Sequence, residues 1–153
     1  MKNYKKNDYD ELLLKINAIT EKESNVVANL ANSCACIYHA LENISWCGFY
    51  ILDNNELVLG PFQGKPACVR IKHGKGVCGM AWKTLETIVV PDVHKFPGHI
   101  ACDAGANSEI VVPLINAGKC FGVLDLDSYE FDRFKLEDKL GLEKIAKLIS
   151  KKL

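Results

Sequence analysis

Apolar residues recur with helical spacing near both ends of the chain. The segment DYDELLLKINAIT places four of them on one helical stripe, namely Leu12, Leu13, Ile16 and Ile19. After Ser24, which can cap a helix, NVVANLANSCACIYHALEN predicts a second, longer and more apolar helix. The C-terminal DRFKLEDKLGLEKIAKLISKKL is amphipathic as well. The pattern therefore predicts helices over about residues 8–43 and 134–152.

Between these helices the pattern is typical of β-strands in hairpins. ISWCGFYILD and ELVLGPFQG flank the polar link Asp53-Asn54-Asn55 and predict a hairpin, and VRIKHG predicts a short third strand. TIVVPDV predicts a strand that stops at Pro91, while SEIVVPLINAGKCFGVLDLDS predicts two strands joined at a turn. GVCGMAWKTLE predicts one more helix, between the third and fourth strands.

This order of elements predicts an α+β fold. Strands that follow one another in hairpins form antiparallel sheets, and the alternating βαβ pattern of parallel sheets is not seen. We expect one domain over residues 1–153, with a six-stranded, largely antiparallel sheet flanked by the N- and C-terminal helices. The sheet and its pocket would occupy about residues 44–128.

The charge balance excludes several classes of partner. Lysine plus arginine and aspartate plus glutamate number 19 each, so nothing indicates nucleic-acid binding or an anionic membrane surface. The N-terminal MKNYKKNDYDELLL has no apolar signal region, and no run approaches the roughly 18 apolar residues of a transmembrane helix. We therefore expect a soluble cytoplasmic protein, for which small neutral or zwitterionic ligands remain open.

The seven cysteines are an odd set in a sequence without a secretion signal, which argues against a structural disulfide framework. Four lie within apolar periodic segments and are predicted to be core residues: Cys34, Cys36, Cys47 and Cys120. Cys68, Cys78 and Cys102 instead lie beside glycine and proline, where a bend in the backbone can expose a thiol. These three cysteines are the candidates for chemistry.

One interpretation of the segment VHKFPGHIACDAG is a metal site. It would combine His94, His99 and Cys102 with nearby aspartates, but the spacing matches no recognised zinc motif, and Pro97-Gly98 interrupts any regular face. We therefore predict no metal. The histidines are assigned to loop hydrogen bonds or to positive potential near the thiol, with direct proton transfer as the alternative.

The other interpretation is a redox site. A reactive cysteine needs a low thiol pKa, an open approach and a second thiol that captures its oxidised form as a disulfide. The three candidate cysteines supply those parts. Spacing alone does not establish which thiols approach one another, and three incidental cysteines remain the alternative.

Six motifs occur together in one order: WCGFYIL, LVLGPFQGKPACVRI, GKGVCG, VVPDVHKFPGHIACD, SEIVVPL and GVLDLDS. In this combination the chain resembles the free methionine-(R)-sulfoxide reductase family, whose members are single GAF domains. The resemblance is densest from Ser45 to Ser128, and GHIACD followed by SEIVVP is specific to that family among GAF domains. It implies reduction of free L-methionine (R)-sulfoxide to L-methionine.

The resemblance also implies a role for each candidate cysteine. Cys102, in GHIACD, matches the nucleophile that attacks the sulfoxide sulfur and becomes a sulfenic acid. Cys68, in GKPACVRI, matches the resolving cysteine, and Cys78, in GKGVCG, matches an alternative resolving thiol. No bound cofactor is implied, since thioredoxin, reduced with NADPH through thioredoxin reductase, would restore the thiols. A homodimer is a further family expectation.

Acidic and aromatic residues complete the implied site. Glu109, Asp125 and Asp127 match the family's acidic pocket residues, and Trp46 and Tyr50 match its aromatic wall. Asp125 and Asp127 lie two residues apart on one strand and so share a face, where a substrate ammonium group would relieve their repulsion. Taken alone, these acids fit a solvated strand end, and the aromatic residues fit an ordinary core.

The loop at Pro97-Gly98 is expected to move during the reaction. The sulfur of Cys102 must reach first the sulfoxide and then Cys68, and a disulfide needs Cα atoms about 4.4–6.8 Å apart. We therefore expect different loop positions in the reduced and disulfide forms. The alternative function is a non-catalytic GAF sensor of a small molecule, which has no need of accessible cysteines.

Overall fold

The computed structural model describes residues 6–153, with side chains from Asp8 onward. Residues 1–5, part of the predicted domain and of its basic N-terminal segment, lie outside the described residues. The helices and strands follow in this order: α1 (Lys6–Thr20), α2 (Val26–Ala40), β1 (Trp46–Asp53), β2 (Glu56–Gln63), β3 (Arg70–Lys72), α3 (Gly76–Thr84), β4 (Ile88–Val90), β5 (Ser108–Asn116), β6 (Lys119–Ser128) and α4 (Leu136–Ser150). Over the described part of the chain, no helix is long and apolar enough to cross a bilayer.

The strands form one six-stranded sheet in the order β3-β2-β1-β6-β5-β4. Every neighbouring pair is antiparallel, which confirms the predicted α+β fold. The β1–β2 hairpin turns at Asn54 and Asn55, whose φ angles of 47° and 64° belong to the left-handed region that asparagine tolerates. The β5–β6 hairpin turns in the same way at Ala117 and Gly118.

Strand alternation divides the side chains between two apolar layers. Cys47 and Phe49 of β1 face the layer that contains α1, α2 and α4, together with Ile110 and Leu126. The intervening positions of the same strands face α3, where Tyr50, Val111 and Val123 pack beside the helix residues Val77 and Ala81. The three longest helices therefore cover one face of the sheet and leave the other to α3 and loops, between which a pocket can form.

Two details of the N-terminal helices differ from the sequence prediction. The sequence pattern places Ile19 on the apolar stripe of α1, but Ile19 is 41% exposed in the structure, and Thr20 is 1% exposed instead. The buried stripe continues from Ile16 to Thr20, four positions later. The Thr20 hydroxyl is tolerated there because it donates to the Ile16 carbonyl oxygen at 2.7 Å. The cap of α2 is Asn25 and not Ser24, because the Asn25 side chain accepts the Ala28 amide hydrogen at 3.0 Å.

Gly141 of α4 allows α1 to pack closely against it. A methyl group at this position would overlap the ring of Tyr9, whose hydroxyl donates to Asp138 at 2.6 Å. We expect Gly141→Ala to lower the free energy of unfolding by about 1–2 kcal/mol, since overpacking outweighs the better helix propensity of alanine. Urea denaturation measures this, with Leu140→Ala, at a position 52% exposed on the same helix, as the control that changes little. An unchanged Gly141→Ala midpoint would contradict the close packing.

Candidate active site

The register of the sheet brings three carboxyl groups together on the face covered by α3. Glu109 of β5 pairs with Asp127 of β6, and Asp125 of β6 pairs with Gly48 of β1. Glu109 and Asp125 are each 6% exposed, and Asp127 is partly exposed. These acids line one pocket together with Trp46. The interpretation of Asp125 and Asp127 as a solvated strand end is therefore wrong.

Burial and mutual repulsion raise the pKa of all three carboxyl groups. For Glu109 the larger cause is desolvation, followed by the charge of Asp127, and for Asp125 it is desolvation followed by the charge of Glu109. The pKa of Asp127 is raised by desolvation and then by Asp125. Among the described residues, Asp125 Oδ1 is buried without a hydrogen-bond partner. The group is thus suited to hold a proton or to receive a cation.

An aromatic wall stands beside the acids. The Trp46 indole stacks on Tyr50, with ring centroids 5.9 Å apart, and on Phe62, at 5.4 Å. Gly48 lies beneath the indole, where a Cβ atom would come within 2.5 Å of the Trp46 ring. Trp46 and Tyr50 are 5% and 2% exposed, and both also line the pocket. Trp46 and Tyr50 therefore belong to the core and also line the pocket.

Cys102 and Cys68 are joined by a disulfide at the rim of this pocket, with Cα atoms 5.6 Å apart. Cys102 is exposed on the loop before β5, and Cys68 is half-buried on the loop between β2 and β3. The Tyr50 hydroxyl donates to the Cys68 carbonyl oxygen at 2.9 Å and so fixes the second loop against the aromatic wall. The two cysteines at the edge of the pocket are thus close enough to form a disulfide during a reaction at sulfur.

Cys78 lies in the predicted helix but is buried, which corrects the prediction that a bend in the backbone exposes its thiol. It lies in the first turn of α3, is 4% exposed and lines the pocket floor. Gly79 of GKGVCG permits a helical turn packed tightly on β3, because a Cβ atom there would lie 2.5 Å from the Lys72 carbonyl oxygen. Burial, followed by the charge of Asp125, raises the pKa of the Cys78 thiol. Cys78 is therefore a protonated, weakly nucleophilic thiol in this state.

The four cysteines predicted to be core residues lie outside the pocket lining, and three of them are buried as predicted: Cys34, Cys47 and Cys120. Cys34 and Cys47 are fully buried, and the Cys34 thiol donates to the Cys47 carbonyl oxygen. Cys120 is 8% exposed, while Cys36 on α2 is half-buried. Cys36 is consequently the least enclosed of the four.

The two histidines of the Cys102 loop occupy different surroundings. His94 Nε2 lies 2.8 Å from Asn107 Oδ1, a loop hydrogen bond of the predicted kind. His99 Nε2 lies 3.4 Å from Glu109 Oε2 inside the pocket. A metal site formed by His94, His99 and Cys102 is not assembled, since these side chains have separate partners.

A different trio has the spacing that a metal ion requires. The Cys78 sulfur and one oxygen each of Glu109 and Asp125 all lie within 4.8 Å of one another, and all three residues are buried. The same carboxyl groups line the pocket that also contains the aromatic wall and the disulfide. An organic cation such as an ammonium group accounts for the acids together with that wall, which a bare ion does not.

Two polar residues near Cys102, Tyr129 and Lys65, are not identified by the sequence, and both contact Asp103. The Tyr129 hydroxyl donates to Asp103 Oδ2 at 2.9 Å, and Lys65 lies 3.9 Å from the same oxygen. The Gly105 amide, which donates to Asp103, and then Tyr129 lower the pKa of the Asp103 carboxyl group. The sequence does not indicate these contacts, because Tyr129 and Lys65 lie far from Asp103 along the chain and only the fold brings them together.

Comparison with known proteins identifies the family of this chain. Residues 19–153 match the GAF domain family. The chain is 50% identical over 150 residues to the free methionine-R-sulfoxide reductase of Saccharomyces cerevisiae, covering 93% of this chain and 83% of that protein. It is 49% identical over 145 residues to the Escherichia coli protein of the same name, covering 95% and 88%. The chain belongs to the GAF-domain family of free methionine-R-sulfoxide reductases.

Solved structures of this reductase family share the whole fold. The Neisseria meningitidis reductase in complex with its substrate is 45% identical and has a TM-score of 0.94, covering 99% of this chain and 92% of that one. The reduced Staphylococcus aureus reductase is 51% identical, with a TM-score of 0.91 and coverage of 95% and 94%. The predicted family and fold are thereby confirmed.

Proposed function

We propose that this chain reduces free L-methionine (R)-sulfoxide to L-methionine, with Cys102 as the nucleophile. The observation that carries the proposal is the Cys68–Cys102 disulfide at the rim of a pocket with buried acids on one side and aromatic rings on another. A disulfide between two loop cysteines is the state in which a sulfoxide reductase ends one turnover. The family membership supports the same reaction.

In the proposed chemistry, the Cys102 thiolate attacks the sulfoxide sulfur. The sulfoxide oxygen takes a proton, and transfer of oxygen to Cys102 leaves a sulfenic acid on the cysteine while the sulfide of methionine departs. Glu109, Asp125 and Asp127 are the proposed acids, because burial raises the pKa of each and keeps a proton available. The sulfoxide is thus reduced to methionine by two electrons that come from the sulfur of Cys102.

Specificity for the free amino acid follows from the charge of the pocket. A free amino acid carries an ammonium group, which would supply the unpartnered Asp125 Oδ1 with a hydrogen bond and a counter-charge. The same nitrogen in a peptide is a neutral amide with chain on both sides. The aromatic wall of Trp46 and Tyr50 would contact the thioether side chain.

The second half of the reaction regenerates the thiol pair. The Cys68 thiol attacks the sulfenic acid, forms the disulfide and releases water, and a dithiol of the thioredoxin type then reduces that disulfide and becomes oxidised itself. Thioredoxin, recycled with NADPH through thioredoxin reductase, is the proposed reductant, and no bound cofactor is needed. Cys78 is proposed as the alternative resolving thiol, which requires α3 to open since that thiol is buried.

The proposal extends to the organisation of the protein. We propose that residues 1–153 form a single GAF domain, that it acts in the cytoplasm, where thioredoxin keeps thiols reduced, and that it forms a homodimer. The exposed side chains of Val26 and Val27 on α2 support a partner at that helix. Sedimentation velocity tests the dimer.

The proposed function is tested by NADPH consumption with thioredoxin and thioredoxin reductase. We expect turnover of the R epimer of free methionine sulfoxide and none of the S epimer. N-acetylmethionine (R)-sulfoxide, which lacks the ammonium group, is the matched control and is expected to be a poor substrate. Absence of turnover with every substrate, using fully reduced protein, would favour the non-catalytic sensor.

A further inference from the structure

His99 lies beside Glu109 inside the pocket, next to the acids that would receive a ligand ammonium group. Its Nε2 atom lies 3.4 Å from Glu109 Oε2, and the two side chains are only 15% and 7% exposed. Glu109 lies among the acids that include the unpartnered Asp125 oxygen. A carboxyl group enclosed to this degree has little room for a second polar partner, so His99 and a ligand would compete for the space beside Glu109.

The loop that carries His99 is fixed by the disulfide. His99 and Cys102 are three residues apart, a span of at most about 10 Å even when fully extended. Between them, Ile100 lies over Gly76 at the start of α3, where a Cβ atom on the glycine would be 3.0 Å from it. Bonding of Cys102 to Cys68 therefore coincides with docking of Ile100 and His99 over the pocket.

We infer that His99 weakens ligand binding in the disulfide state, so that formation of the Cys68–Cys102 bond releases methionine from the pocket. The inference rests on the proposed function and adds a positioning residue to it. In the reduced state the released loop withdraws His99, and Glu109 becomes available to the ammonium group of the next substrate. The product is thus released before the reductant arrives, and the resting oxidised protein does not retain it.

His94 offers a matched control on the same segment. It lies five residues before His99, is exposed, and hydrogen-bonds to Asn107 outside the pocket lining. Its replacement removes an equal side chain from the loop without touching Glu109. A difference between the two histidine variants therefore reports on the pocket and not on loop stability in general.

The experiment is isothermal titration calorimetry with free L-methionine, which binds without reacting. Reduced and oxidised protein are compared for the wild type, His99→Ala, His99→Ser and His94→Ala, with the Cys68–Cys102 bond verified by peptide mapping. We expect oxidation to weaken methionine binding by about tenfold or more in the wild type and in His94→Ala, which corresponds to about 1.4 kcal/mol. In both His99 variants the oxidised and reduced forms should bind within about threefold of each other.

Two results would overturn the inference while leaving the proposed function intact. One is equal methionine binding by oxidised and reduced wild type, and the other is oxidised His99 variants that bind as weakly as the oxidised wild type although their reduced forms bind well. Reduced wild type that binds neither methionine nor its sulfoxide would instead overturn the proposed function and this inference with it.

Discussion

Cys102→Ser is expected to abolish reduction of methionine (R)-sulfoxide, with kcat lowered by roughly 10³-fold or more. A serine hydroxyl is almost fully protonated at neutral pH and cannot take up the sulfoxide oxygen to form a sulfenic acid. The pocket itself should remain intact, because Cys102 is exposed and contributes no core packing. The measurement is thioredoxin-coupled NADPH consumption together with methionine binding by the variant.

Cys36→Ser is the matched control for that experiment. Cys36 is a half-buried cysteine on α2, away from the pocket lining, so its loss should leave turnover within about twofold of wild type. Cys68→Ser separates the two steps, since it should still release one methionine per protein but recycle poorly. Full activity in Cys102→Ser would assign the nucleophile to another residue.

Asp125→Asn is expected to lower kcat/KM by about 10²–10³-fold. The amide keeps the shape of the carboxyl group but neither donates an acidic proton nor neutralises an ammonium group. Asp53→Asn, an exposed aspartate at the β1–β2 turn, is the control that retains activity. Wild-type kinetics in Asp125→Asn would leave the acid group without a function in catalysis.

The same substitution is expected to stabilise the protein at neutral and alkaline pH, by about 1 kcal/mol. Burial raises the pKa of Asp125 above its ordinary value of 3.8, so the folded protein binds this proton more tightly than the unfolded chain does. The resulting stability is complete below that ordinary value and is lost as pH rises through the raised one. Glu109, whose pKa is raised by burial too, contributes in the same sense.

Urea denaturation across pH measures this effect. Wild-type free energy of unfolding should fall as pH rises through the raised pKa values, and the decline should be smaller in Asp125→Asn. A variant that is less stable than wild type at neutral pH would show that the Asp125 carboxyl group is compensated by partners within the folded protein. If Asp125→Asn loses activity and gains stability, Asp125 is a residue that is retained for function at a cost in stability.

Alternation along the strands made the fold predictable from the sequence. Two pairs of alternating strands, one on either side of Asn54-Asn55 and one on either side of Ala117-Gly118, identify the hairpins. Both turns have left-handed backbone angles, which asparagine and glycine tolerate. The shared face of Asp125 and Asp127 likewise follows from the two-residue period. Local rules of this kind depend on neighbouring residues alone, and the structure agrees with them.

Predictions that depend on distant contacts were less successful. The segment GVCGMAWKTLE predicts helix α3 correctly. The glycines beside Cys78 predict an exposed thiol, but α3 packs so closely on β3 that the thiol is buried and Gly79 is required. The pairing of His99 with Glu109 and of Tyr129 with Asp103 depends on how two loops lie over the sheet. No periodicity or spacing in the sequence contains that information.

The most direct test of the central claim is a single-turnover experiment followed by mass spectrometry. Fully reduced protein is mixed with one equivalent of free methionine (R)-sulfoxide, with no added reductant. The account predicts one equivalent of methionine, a protein lighter by two hydrogen atoms, and a peptide map in which Cys68 is joined to Cys102. Unchanged protein mass with no methionine formed, or methionine formed with Cys102 still a free thiol, would contradict it.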